Sequence, residues 1–197
     1  DWEEMAETAN IAKMAEKLSK ELFLEFQWQR TGTTNINWPC EDQNHHKKKT
    51  HPSDVVFYYD EPYSQARTYV NCDLKSYAKE SISSANIKAA IESLAMSLSC
   101  AEKSTEFADH FLHAHVSPEI CGLLFVYNHD GEYDKNFEVL LEKVKNEKLD
   151  LPERSKIVVL GPSDIYWLNN VRHEIAYMRG GDGNLPTREN CKFFFPH

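Results

Sequence analysis

The chain has 197 residues, 41% hydrophobic and 27% charged, with a mean hydropathy of −0.60, which is the composition of a soluble globular domain with a core of ordinary size. No apolar run approaches the roughly 20 residues that span a bilayer, and no signal-peptide pattern opens the chain, so no membrane-spanning helix is expected. The net charge of −9 works against nucleic-acid binding by phosphate neutralisation alone, so such a partner requires a local basic patch, a metal or a basic partner chain.

In chain order, Ile11, Ala15, Leu18, Leu22 and Phe26 form one apolar stripe at helical spacing, with Glu7, Glu16, Lys17, Lys20 and Glu21 among the other positions. The alternation from Leu22 to Arg30 predicts that this helix stops near Lys20 and that a first strand follows. Thr31 to Thr50 reads as a loop ending in Lys47-Lys48-Lys49. Cys40, His45, His46 and His51 are zinc ligands by type, but they lack Cys-x-x-Cys or His-x3-His order and have no second cysteine nearby. Cys40, Cys72, Cys100, Cys121 and Cys191 are odd in number and scattered, which suits reduced thiols in the cytoplasm.

Val55 to Tyr59 is a β-branched and aromatic run that reads as a strand, Asp60 to Ser64 as a turn, and Arg67 to Lys75 as the returning strand of an antiparallel hairpin. Alternation sends Thr68, Val70, Cys72 and Leu74 to one face and Arg67, Tyr69, Asn71, Asp73 and Lys75 to the other. Antiparallel pairing brings Asp54, before the first strand, to the same sheet end as Asp73 and Lys75. Two carboxylates beside an ammonium suit phosphate chemistry around a hard cation. A half-buried strand with a solvated Asp-Lys pair is the other reading of the same residues.

Ser83-Ser84 caps a helix over 85–103 with Ile87, Ile91, Leu94, Met96 and Leu98 on its buried side. A second helical piece runs from Phe107 to His115, and its histidines read as surface groups. Cys121 to Tyr127 is a continuous apolar run and predicts a central buried strand. Then follow a helix over 134–148, a buried strand over 156–160, a helix capped by Ser163-Asp164 reaching Met178, and a final strand over 191–195. Gly180 to Asn184 lacks phosphate-loop spacing.

The order helix, three strands, helix, strand, then alternating elements predicts an α/β sandwich with a mixed central sheet flanked by helices. With Pro52-Ser53-Asp54 opening the second strand and Asp73-Leu74-Lys75 near the end of the third, the chain resembles the PD-(D/E)xK nuclease superfamily, the restriction-endonuclease-like fold. It departs from the family pattern in having Pro-Ser-Asp where Pro-Asp is usual. On this resemblance the expected core covers 11–127 of a single 1–197 domain, with a strand-helix extension over 128–197. The start at Asp1 and the stop after Phe193 to Phe195 lead us to expect a fragment of a longer protein.

The resemblance implies a Mg2+-dependent nuclease, with Mn2+ able to substitute, acting on nucleic acid, DNA before RNA. Asp54, Asp73 and the Leu74 carbonyl would hold the metal, and Lys75 would orient or deprotonate the attacking water. A first-helix Glu, Glu16 before Glu21 or Glu7, would join them. Lys47, Lys48, Lys49, Asn71 and Lys79 are the candidate substrate contacts. Such domains often serve in restriction, repair or antiphage defence assemblies, so a partner protein or a homo-oligomer is expected to supply further binding surface. An inactive module of the same fold, used for binding or scaffolding, is the alternative.

Overall fold

In a computed structural model, which describes residues 2–61, 66–114, 117–144, 149, 151–181 and 185–191, with side chains from Asn10 onward, the N-terminal stripe forms helix α1 (Trp2–Lys17). A π-helical turn (Leu18–Leu22) and a last α-helical turn, α2 (Phe23–Glu25), continue it. The helix therefore does not stop near Lys20. Leu22 and Phe23 carry the apolar stripe on into the core, and the backbone turns only at Gln27, whose φ is 63°. The first strand is correspondingly short, β1 (Gln29–Thr31).

The expected loop after it is built instead as β2 (Ile36–Pro39), a short helix α3 (Gln43–His46) and β3 (Thr50–Ser53), with β2 and β3 paired antiparallel. Trp38 drives this: it is wholly buried, donates its indole N–H to Ser53 Oγ at 3.0 Å and packs edge-on against Phe107. Its partners lie too far along the chain for a local reading to supply them.

The hairpin strands are β4 (Val55–Asp60) and β5 (Ala66–Tyr77), in the register Val55 opposite Cys72. After a 3-10 turn (Lys79–Ser81), helix α4 (Ser84–Ala101) is capped by Ser83, whose hydroxyl accepts from Asn86 N at 3.3 Å. Helix α5 (Thr105–Phe111) and strand β6 (Ser117–Asn128) follow. Next come α6 (Phe137–Glu142), β7 (Ile157–Leu160), α7 (Pro162–Gly180) and a 3-10 turn (Arg188–Asn190). The expected strand over 191–195 and the glycine-rich turn over 180–184 lie largely outside the described residues.

The sheet order is β1-β4-β5-β6-β7, antiparallel through β5 and parallel from β5 to β7. One face carries α1, α2 and α7 over Val55, Phe57, Val70, Cys72 and Leu74. The other carries α4, α5 and α6 over Tyr69, Leu124 and Val126. Because both faces are covered, the middle of the polar side expected of β5, Tyr69 and Asn71, is interior, and that side opens to solvent at its ends, at Arg67 and at Asp73 and Lys75. Strand β7, expected to be buried, is a sheet edge with Val158 46% exposed.

Candidate functional site

Strand β4 begins at Val55, so Asp54 stands where β3 gives way to β4, while β5 runs on paired with β6 alone. Asp54 Oδ2 accepts a hydrogen bond from the Leu74 backbone N–H at 2.7 Å, replacing the partner strand that has departed. The N–H and C=O of one residue in an extended strand leave on the same side. The Leu74 carbonyl thus faces the same opening.

Asp73 and Lys75 share with Asn71 the face turned toward α4. Lys75 Nζ lies 2.7 Å from Asp73 Oδ1, with the aspartate side chain 16% and the lysine 32% exposed. Burial pushes the Lys75 ammonium down, but Asp73, and behind it Tyr77 and Asp54, push it up by more, so its pKa is raised above the ordinary lysine value. Asp54 and Asp73 line a cavity of about 10 Å³ with Pro52, Cys72, Ser93, Leu94 and Ser97, room for a single water or small ion. Beneath it, the fully buried Cys72 thiol is raised by its burial and by both aspartates, so it is no nucleophile.

The donor set suits the implied metal. Two carboxylates and a backbone carbonyl are hard oxygen ligands, the kind that Mg2+ and Mn2+ accept.

The other expected site residues divide. Lys48 comes to the site: its Nζ donates to Ser93 Oγ at 2.7 Å, on the wall of the same cavity. Lys47 and Lys49 flank it, both exposed. Asn71 does not reach the opening. It is 1% exposed and donates to Ser97 Oγ at 3.0 Å, fixing α4 rather than meeting a substrate. Lys79 is turned away, with Nζ 3.0 Å from Asp134.

Glu16 is also held elsewhere, by Lys20 at 2.6 Å and Arg30 at 3.0 Å. The stripe of α1 beside it packs on the Val70-Cys72-Leu74 face of β5, opposite Asp73 and Lys75. Glu21 lines a larger cavity of about 1270 Å³ between α1, the end of β6 and α7. The side chain of Glu7 lies outside the described residues.

Ser93 and Ser97, which connect Lys48 and Asn71 to the cavity, were not among the expected residues. Serines one turn apart on a helix carry no motif, and only tertiary packing reveals their place. Among the described residues no helix is long and apolar enough to cross a membrane.

No curated protein sequence matches the chain. A family model described as the GAPS4 protein PD-(D/E)XK nuclease domain matches residues 5–164, a span holding Asp54, Asp73, Lys75 and the whole five-stranded sheet. The chain therefore belongs to that family of PD-(D/E)XK nucleases and has its restriction-endonuclease-like fold.

Proposed function

We propose that the chain hydrolyses phosphodiester bonds of nucleic acid, DNA before RNA, in a metal-dependent reaction at Asp54, Asp73 and Lys75. The observation that carries this reading is the opening where β4 leaves β5. There Asp54 caps the Leu74 N–H at 2.7 Å, and the Asp73-Lys75 pair, also at 2.7 Å, faces α4 beside it. Asp54, Asp73 and the Leu74 carbonyl would hold Mg2+, or Mn2+ in its place. When bound, the ion supplies Lewis-acid charge at the scissile phosphate.

Lys75 works as a cation. The Asp73 carboxylate 2.7 Å away favours its ammonium form, and as a cation it donates hydrogen bonds to the attacking water and offsets negative charge growing on the phosphate oxygens. Of the two roles considered for it, orienting the water and deprotonating it, this favours the first.

Lys48, with Lys47 and Lys49 beside it, meets the phosphate backbone at the rim. In Lys48→Ala, substrate affinity falls at every sequence tested, and the slope of log affinity against log salt drops by about one. Filter binding across a salt series measures this, and an unchanged slope removes Lys48 from the interface.

The net charge of −9 supports a setting in which a partner protein or second subunit supplies more binding surface, as in a repair or antiphage defence assembly. The same charge favours the second reading, an inert module of this fold. Incubating plasmid DNA and total RNA with wild type and Asp73→Asn, each with Mg2+, Mn2+ or EDTA, separates the two. Metal-dependent cutting that disappears in Asp73→Asn is expected and identifies the polymer. A folded wild type that cuts neither polymer under any of these conditions removes the free-standing enzyme.

A further inference from the structure

One helical turn beyond Ser97, α4 takes part in a second cluster that the nuclease chemistry does not use. Cys40 follows β2, His46 ends α3, His51 lies in β3 and Cys100 lies near the end of α4. One ligand atom from each of these four side chains lies within 4.8 Å of all the others. The two sulfurs are 3.8 Å apart, and His46 Nδ1 is 3.3 Å from Cys40 Sγ and 3.4 Å from Cys100 Sγ.

Zinc binds sulfur at about 2.3 Å and imidazole nitrogen at about 2.0–2.1 Å. A tetrahedron with those bonds has sulfur-sulfur edges of about 3.8 Å and sulfur-nitrogen edges of about 3.5 Å. The three edges among Cys40, Cys100 and His46 already have those lengths, and a His51 ring nitrogen lies within 4.8 Å of all three.

Two further observations point to a ligand. His51 is 0% exposed, yet neither of its ring nitrogens has a hydrogen-bond partner among the described residues. An imidazole buried in that state carries a desolvation cost with nothing to offset it, and a bond to a metal supplies the missing partner. His46 meets Ser99 Oγ through Nε2 at 3.3 Å, the outer hydrogen bond that orients a ligating ring, and this leaves Nδ1 turned to the sulfurs.

We propose that Cys40, His46, His51 and Cys100 form a closed tetrahedral zinc site. With four protein ligands and no open position, the site is structural. Zinc bridges the β2-β3 hairpin to α4 and so holds the Lys47-Lys49 tip beside the cavity. The two thiols bind as thiolates and release their protons to solvent.

Of the ligand types noted in the sequence, His45 drops out, because its exposed ring turns to Asp42 at 3.8 Å. His46 and His51 keep the three-to-five-residue spacing of zinc histidines. The missing cysteine is sixty residues from Cys40.

Elemental analysis of the reduced, purified chain tests the site. One zinc per chain is expected in wild type, in His45→Ala and in Asp73→Asn, and its loss is expected in Cys100→Ser. Cobalt in place of zinc gives the thiolate-to-metal charge-transfer band and the visible bands of a tetrahedral site. Should Cys100→Ser fail to fold, blocking the thiols of wild type with a mercurial must release one zinc, read with a colorimetric chelator.

A folded wild type that takes up neither zinc nor cobalt overturns the proposal. So does zinc retained in folded Cys100→Ser, or a Cys40-Cys100 disulfide found by mass spectrometry. Since the expected zinc survives in Asp73→Asn, failure of the nuclease reading and failure of this one register separately.

Discussion

Lys75→Ala lowers kcat for phosphodiester cleavage by about 10²- to 10³-fold, the cost of removing one group aimed at charge that develops in the transition state. The loss falls on kcat because the ammonium, 2.7 Å from Asp73, acts on the reacting phosphate and water more than on the rest of the polymer. Lys75→Arg recovers little, since a planar guanidinium cannot take the place of a compact ammonium held against one carboxylate oxygen. Because Asp73, with Tyr77 and Asp54 behind it, outweighs burial and leaves the Lys75 pKa raised, the group is expected to stay charged through neutral pH. The pH–rate profiles of wild type and Lys75→Ala then have the same limbs and differ only in height. Single-turnover kinetics across pH measure both points. Unchanged cleavage by Lys75→Ala would falsify the assignment, and a limb near neutral pH that vanishes with the lysine would instead make it the proton acceptor.

Glu25→Gln destabilises the fold by about 3 kcal/mol, the low end of the range for removing one partner of a buried ion pair. Glu25 is 4% exposed at the end of α2. Its Oε1 accepts from Arg179 of α7, and its Oε2 accepts from Arg188 at 2.7 Å. Gln27 adds donations to the carbonyls of Arg188, at 2.8 Å, and Cys191. These bonds tie the C-terminal segment to the first helix. Losing the carboxylate strands Arg179, only 19% exposed, more than Arg188, which keeps 41% of its surface in water.

Burial raises the Glu25 carboxyl, but the hydrogen bonds from Arg188 and Arg179 lower it further, so the net direction is down. A depressed acid contributes stability that is complete above its unfolded value of about 4.3 and is lost as pH falls through the folded value. The gap between wild type and Glu25→Gln therefore closes on acidification below that value. Urea midpoints over a pH series check this, and equal midpoints at pH 7 would remove the role.

What was legible in the sequence is what depends on local period. The alternation of Arg67 to Lys75 and the β-branched run at Val55 are properties of single strands, and a hairpin joins neighbours in the chain, so Asp54, Asp73 and Lys75 come together without knowledge of the rest. The α4 register is legible for the same reason. What was not legible depends on contacts between distant segments. That Asn71 ends under Ser97, that Lys48 reaches Ser93 and that Trp38 turns an apparent loop into a hairpin all follow from α4 and α5 closing over the sheet. The helix overran its expected end because Leu22 and Phe23 satisfy helical and strand patterns equally well, and only packing against Phe57 and Phe125 decides between them.

The parallel pairing of β5 with β6 has a consequence for how the enzyme is made. Lys75 lies beside Val126 and Asp73 beside Leu124, so the strand carrying both groups acquires its second neighbour only after some fifty further residues, including all of α4, have been synthesised. Long-range parallel pairing is slow to close and follows the local hairpin. A nascent chain that has exposed Asp73 and Lys75 but not β6 has only β4 beside the strand that carries them. On the proposed function, hydrolytic competence is then expected only once β6 docks, late in synthesis.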